Sequence, residues 1–220
     1  MNGLRKLLGG IAADVLRAVV RDPGEQVPRP GRRLVTILFA RIRGFPPVSE
    51  PLQPEQMAEL LCEYFTEATE IVDRHGGIVN KYIGDSIMVL YNVPLEDPEH
   101  ALNAVRTGLE LQERTLAVSA RWEAKLGAPI RTAAGINTGE VVVGFLGSQQ
   151  RPEYTAVGDP VTVASHLLEA AEPDTILIGD ATSSVVQGVV RVESVEPLRV
   201  EGRSRPIVAH RLVGIGIAHV

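Results

Sequence analysis

The sequence predicts an α+β domain, and three observations carry that expectation. A short apolar run rich in β-branched residues, Leu34-Val35-Thr36-Ile37-Leu38-Phe39-Ala40, has the length and composition of a buried strand. Two long stretches follow with apolar residues at helical spacing. Between them, two more apolar runs flank the acidic turn Ile83-Gly84-Asp85, the pattern of a hairpin. With 220 residues, 45% of them apolar, the chain can build one ordinary domain with its own core and a short appendage.

In chain order, residues 4–21 come first. Leu4, Leu8, Ile11, Val15 and Val19 recur at helical spacing, with Lys6, Gly10, Asp14, Arg17 and Arg21 opposite, which predicts an amphipathic helix. It is read as packing on its own domain or on a second copy, with a membrane-surface contact as the less favoured alternative. Asp22-Pro23-Gly24 stops it, and Pro28 and Pro30 mark a linker. The expected division is therefore 1–31 as helix and linker, 32–214 as the domain and 215–220 as a tail.

After the strand at 34–40 comes a Gly44-Phe45-Pro46-Pro47 turn. Met57, Leu60, Leu61, Tyr64, Phe65, Ala68, Ile71 and Val72 then predict a long helix, ended by Gly76-Gly77. Strands are expected at Ile78–Tyr82 and Ser86–Tyr91, and a second long helix from Asp97-Pro98 to Leu126-Gly127. Further strands are placed near 130–136 and 140–146, a helix at 159–171 and a last hairpin near 189–213. The order β-α-β-β-α-β predicts a ferredoxin-like core with extensions.

Composition narrows the chemistry. A net charge of −5 without a Lys/Arg run argues against nucleic acid as the partner. No apolar run approaches the roughly 18 residues of a membrane span, so the chain reads as soluble. Cys62 is the single cysteine; its apolar neighbours Leu60, Leu61, Tyr64 and Phe65 predict a buried inert thiol, and a reducing cytoplasmic setting fits. The five histidines have no ligand spacing. Gly144-Phe145-Leu146-Gly147 lacks a phosphate-loop lysine and reads as strand-end turns. Ser49 and Ser86 have no His/Asp set near them in sequence.

Three segments carry most of the information: Leu38-Phe39-Ala40-Arg41-Ile42-Arg43-Gly44-Phe45, then Asn80-Lys81-Tyr82-Ile83-Gly84-Asp85-Ser86-Ile87-Met88, then Tyr154-Thr155-Ala156-Val157-Gly158-Asp159-Pro160-Val161-Thr162-Val163-Ala164-Ser165-His166-Leu167. In this order, with Gly135-Ile136-Asn137-Thr138-Gly139-Glu140-Val141 between, they resemble the class III nucleotide cyclases over about 33–214. The resemblance implies that fold, and a head-to-tail dimer whose two sites are each shared between chains. In that family two aspartates of one chain hold two divalent metals, Mg or Mn. The partner chain supplies a base-reading pair, an Asn and an Arg. The ribose 3′-oxygen attacks the α-phosphate and pyrophosphate leaves.

Placed residue by residue, the resemblance makes Asp85 the second metal aspartate, Lys81 the reader of adenine N1 and Thr155 its partner for the exocyclic amine, a pair suggesting ATP rather than GTP. Arg203 resembles the late basic residue that grips terminal phosphates, and the Ile42–Phe45 turn, Gly44 included, would offer backbone N–H groups to them. The departures are as informative. Arg41 stands where the first metal aspartate would be, and a guanidinium is a fixed cation with no acceptor. At about 4 Å and an effective dielectric near 20, it would repel a dication by on the order of 8 kcal/mol. Thr162 replaces the catalytic Asn and His166 the transition-state Arg, and Pro46 removes an N–H from the phosphate turn.

The expected function is a cyclase homology domain with impaired or absent catalysis, a dimerising, ATP-binding regulatory module in which Arg41 fills the emptied metal site, paired with Asp85 or with the triphosphate. The alternative is a weakly active or partner-dependent adenylate cyclase. Pairing with an intact relative would leave both composite sites short of a part, because each needs residues this chain lacks.

Overall fold

The apolar run at 34–40 forms the middle of β1 (Gly31–Arg43), which continues beyond it at both ends. The computed structural model describes residues 30–43, 50, 52–148 and 150–216. The helix expected at 4–21, its linker, and the turn residues Gly44, Phe45 and Pro46 lie outside the described residues.

The remaining elements are α1 (Pro54–Arg74), β2 (Ile78–Ile83), β3 (Ser86–Tyr91), α2 (His100–Leu126), β4 (Arg131–Ser148), β5 (Arg151–Val157), α3 (Asp159–Ala170), β6 (Ile176–Gly179), α4 (Asp180–Val185), β7 (Val190–Ser194) and β8 (Ala209–Ile215). The strand order is β2-β3-β1-β4-β6-β8-β7, with β5 paired to β4. Its first four strands are antiparallel neighbours, and with α1 and α2 as crossovers they form the predicted ferredoxin-like unit. No helix among the described residues is long and apolar enough to cross a membrane.

Local chemistry explains the helix ends. Pro54 opens α1, where its missing N–H costs nothing, and the Gln53 N–H donates to Gln56 Oε1 at 2.9 Å. Gly127, at φ +68°, ends α2 in the left-handed conformation that its lack of Cβ permits. Alternation along β1 divides the core. Val35, Ile37 and Phe39 pack with Val163, Ala164, Leu167 and Leu168 of α3, whereas Leu38 and Ala40 face Ala68, Ile71 and Val72 of α1 and Ala104 and Val105 of α2.

Helix α3 sits close to the sheet. A Cβ on Gly135 would overlap the Leu168 nitrogen and the Ala164 carbonyl oxygen, and one on Gly139 would meet Pro160. A buried polar thread holds the sheet beneath α4. Thr36 Oγ1 lies 2.7 Å from His100 Nδ1 and 2.8 Å from Thr138 Oγ1, which lies 3.0 Å from Thr182 Oγ1.

Several expectations need correction. The strands placed at 130–136 and 140–146 are one strand, β4, because β1 pairs continuously with it from Arg131 to Val143. Gly144 and Gly147 are not strand-end turns but positive-φ positions within β4. Cys62 is exposed, not buried. The buried face of α1 is Leu60, Tyr64, Ala68, Ile71 and Val72, and Cys62 lies about 200° round the helix from Leu60. Strands β5 and β6 and helix α4 are additions to the sequence reading; each is too short to show a decisive period.

Two predictions follow from these contacts. Gly135→Ala should destabilise the domain by about 2–3 kcal/mol in urea unfolding, since helix backbone rather than a flexible side chain occupies the space. Burial lowers the His100 pKa, partly offset by Asp97. The unfolded chain therefore takes up the proton first, and the stability from the neutral ring, complete above the ordinary histidine value, is lost as pH falls below about 6.5. Melting temperatures between about pH 7.5 and 5 should fall in the wild type, and His100→Gln should flatten that dependence.

Candidate active site

The polar residues singled out in the sequence gather on the α3 side of the sheet, and a bulge in β2 puts Lys81 there. Ile78 pairs with Leu90 and Val79 with Val89, but Lys81 pairs with Met88, leaving Asn80 as the extra residue. Opposite residues of an antiparallel pair share a face, and Met88 belongs to the α3-side core. Without the bulge Lys81 would point at α1 and α2. With it, Asn80 and Lys81 both face β5.

There they meet Glu153, Tyr154 and Thr155. Lys81 Nζ lies 3.1 Å from Glu153 Oε2. Asn80, almost wholly buried, donates through Nδ2 to the Tyr154 carbonyl oxygen at 2.6 Å, and Thr155 Oγ1 donates to Asn80 Oδ1 at 2.9 Å. The structure thus brings Lys81 and Thr155 into one cluster. Asn80 and Glu153 join them; Asn80 lies within the second sequence motif, but its partners on β5 are visible only in the fold.

A second group forms at the end of β1. Arg41 pairs with Ser86, the residue after Asp85, and the Ile42 N–H approaches the Asp85 carbonyl oxygen at 3.4 Å. Ile42 is buried within the strand and turns its N–H to that carbonyl, while Gly44 and Phe45, the rest of the expected phosphate turn, lie outside the described residues. Nor does Arg41 pair with Asp85: among the described residues neither side chain makes an ion pair or hydrogen bond. Arg41 instead repels Arg43, its neighbour on the same face.

Arg43 is the residue that the sequence reading left without a role. Its guanidinium Nη2 donates to the carbonyl oxygens of Leu168 at 2.9 Å, Glu169 at 2.6 Å and Ala171, at the end of α3. Burial, then Arg41, lowers its pKa, while Asp85 and Glu169 raise it. The strand carrying Arg41 is so tied to the helix carrying Thr162 and His166.

On α3 itself, Val163, Ala164, Leu167 and Leu168 face the core, which turns Thr162 outward and leaves His166 one turn later half-buried. His166 Nδ1 lies 3.2 Å from Glu169 Oε2. At the start of α3, Arg203 grips Asp159 with Nη1 at 2.5 Å from Oδ1 and Nη2 at 3.0 Å from Oδ2. That bond, chiefly, lowers the Asp159 pKa. Gly202, Arg203, Ser204, Arg205 and Asp159 line an open pocket, so Arg203 sits at the helix N-terminus as an anion-binding group would, with its fork already engaged. Among the described residues no hydrogen bond or ion pair joins the Lys81–Thr155 cluster to Arg41 and Asp85, or either of them to Thr162 and His166.

The sequence pattern described as Adenylate and Guanylate cyclase catalytic domain matches residues 27–214. The chain belongs to this family. Adenylate cyclase 1 of Rhizobium meliloti (strain 1021) is 34% identical over 222 residues, 98% of this chain but 33% of the relative. Among solved structures, the adenylyl cyclase CyaB from P. aeruginosa superposes with a TM-score of 0.80 at 33% identity, over 84% of this chain and 96% of that one. The guanylyl cyclase Cya2 gives the same TM-score and identity, over 86% and 96%. The chain spans a third or less of the length of the curated relatives first matched. Both adenylyl and guanylyl enzymes therefore resemble this cyclase domain, and likeness alone does not choose the base.

The Arg43 clamp sets a measurable expectation. Arg43→Gln should lower unfolding free energy by about 1–3 kcal/mol in urea titrations, the range for hydrogen bonds from a charged donor. Arg43→Lys should recover only part of it, because a point charge cannot reproduce a planar fork.

Proposed function

We propose that this cyclase homology domain binds an ATP-like nucleotide and dimerises as a regulatory module, with catalysis impaired or absent. The observation that carries the reading is the charge at the end of β1. Arg41 and Arg43 lie on one face, and Asp85 is the one remaining carboxylate of the family's metal pair. Family members hold Mg or Mn between two carboxylates; the donor set here does not fit such a pair, since a guanidinium offers no lone pair and adds positive charge. Thr162 and His166 remove two further groups of the family's transition-state set.

Lys81, held by Glu153, and Thr155, held by Asn80, support adenine recognition, with Lys81 set to donate to N1 and Thr155 to meet the amino group. Arg203 and Arg205 at the start of α3 suit the terminal phosphates, once Asp159 releases Arg203. A head-to-tail homodimer follows from the family's shared sites, and a heterodimer with a related cyclase is the other arrangement. A cytoplasmic setting accords with the single, exposed Cys62.

Retention of the whole scaffold and of the base-reading pair favours a second reading, a weak or partner-dependent adenylate cyclase. Two measurements separate the readings. Titration with a fluorescent ATP analogue should give saturable binding that changes less than roughly threefold on adding Mg²⁺. Turnover with ATP and Mn²⁺ should yield no more cAMP than an Asp85→Ala control, whereas Arg41→Asp, Thr162→Asn and His166→Arg combined should raise it. Brisk Mg²⁺-dependent turnover by the wild type would sink the impaired-catalysis reading. Absence of binding below about millimolar would sink the nucleotide-binding one.

A further inference from the structure

We infer that Asn80 fixes the direction of the Thr155 hydroxyl, so that the cluster selects a 6-amino purine over a 6-oxo purine; this deepens, and rests on, the nucleotide-binding reading above. Tyr154 O can only accept, so the Asn80 amide must turn its NH₂ toward it, at 2.6 Å. That leaves Asn80 Oδ1 facing Thr155 Oγ1 at 2.9 Å. An amide oxygen cannot donate, so the hydroxyl must.

A hydroxyl has one proton, and here it is spent. Thr155 Oγ1 therefore offers a ligand lone pairs alone. Against position 6 of a purine it accepts from the amino group of adenine, but meets the carbonyl of hypoxanthine or guanine acceptor to acceptor. Lys81, carried to the same face by the β2 bulge, has only protons to give. It suits the bare N1 of adenine and not the protonated N1 of a 6-oxo purine. Two groups of opposite polarity on one face thus match one base edge.

Asn80 is nearly fully buried and bonds the Thr155 hydroxyl, so it acts as a positioning residue for Thr155. Burial also keeps water from competing for the Thr155 proton. Glu153 does the equivalent for Lys81 by holding its ammonium at the mouth of the cluster.

The test uses the full chain and competition of unlabelled ATP and inosine triphosphate against a fluorescent ATP analogue. The wild type should bind ATP at least about tenfold more tightly than inosine triphosphate. Thr155→Val and Asn80→Ala should each cut that ratio several-fold, and Asn80→Ala should cut it no further in the Thr155→Val background. A merely structural loss at Asn80 would weaken both nucleotides together and leave the ratio unmoved, which would overturn the inference. Equal binding of the two nucleotides by the wild type would overturn it as well, and needs no variant should Asn80→Ala fail to fold. If neither nucleotide binds, the nucleotide-binding reading falls and takes this one with it.

Discussion

Where α3 crosses β4, helix backbone meets strand backbone with no side chain between them, because Gly135 supplies none. Interior packing leaves little slack, so this approach fixes the height of the helix over the sheet to within a few tenths of an ångström. Arg43 then sets its tilt by reaching from β1 to the last carbonyls of α3. One end of the helix is thereby tied to the strand that carries Arg41, and the other, through Asp159, to Arg203. The outward direction of Thr162 and His166 follows from the placement of the helix.

The other half of the site depends on a count of residues. One extra residue in β2 turns Lys81 from the α1 side of the sheet to the α3 side. Asn80, two residues after Ile78 on the same face, is buried against β5, where the Tyr154 carbonyl and the Thr155 hydroxyl satisfy its amide. A buried amide with those partners has one orientation, and polarity passes from a backbone carbonyl to a side-chain hydroxyl through it. Bulges commonly re-aim side chains near functional clefts, and here the re-aimed residue is the only lysine in the cluster.

The ferredoxin-like order was legible because its long elements have strong periods. The apolar stripes of α1 and α2 and the β-branched run of β1 each exceed what chance spacing produces. The segments of β6, α4 and β5 show no clear period, and β5 and β6 exist through their pairing with β4. Cys62 shows the complementary error: apolar neighbours in sequence do not imply a buried position, since a helix turns about 100° per residue. At the site, residue types were visible and geometry was not. Arg41 announced itself by chemistry, whereas Asn80, Glu153 and Arg43 matter through side-chain direction and through acceptors on distant strands and helices, which sequence spacing does not contain.

The proposed split between a surviving base-reading edge and a lost metal centre has a structural basis in which elements carry each. Lys81, Asn80 and Thr155 are held by β2 and β5, and Arg41 and Asp85 by the end of β1 and the hairpin turn. Exchanging a carboxylate for a guanidinium at Arg41 changes local charge by two units, yet the side chain is only half-buried and supports no hydrogen bond among the described residues. Arg43, two residues on, already has its own acceptors in the α3 carbonyls, so the added charge disturbs it by repulsion and not by competition for a partner. A substitution with those properties alters the electrostatics of the cleft while leaving packing, register and the Asn80–Thr155 bond where they were. Selection could therefore abandon the chemistry at one end of the sheet without dismantling recognition at the other.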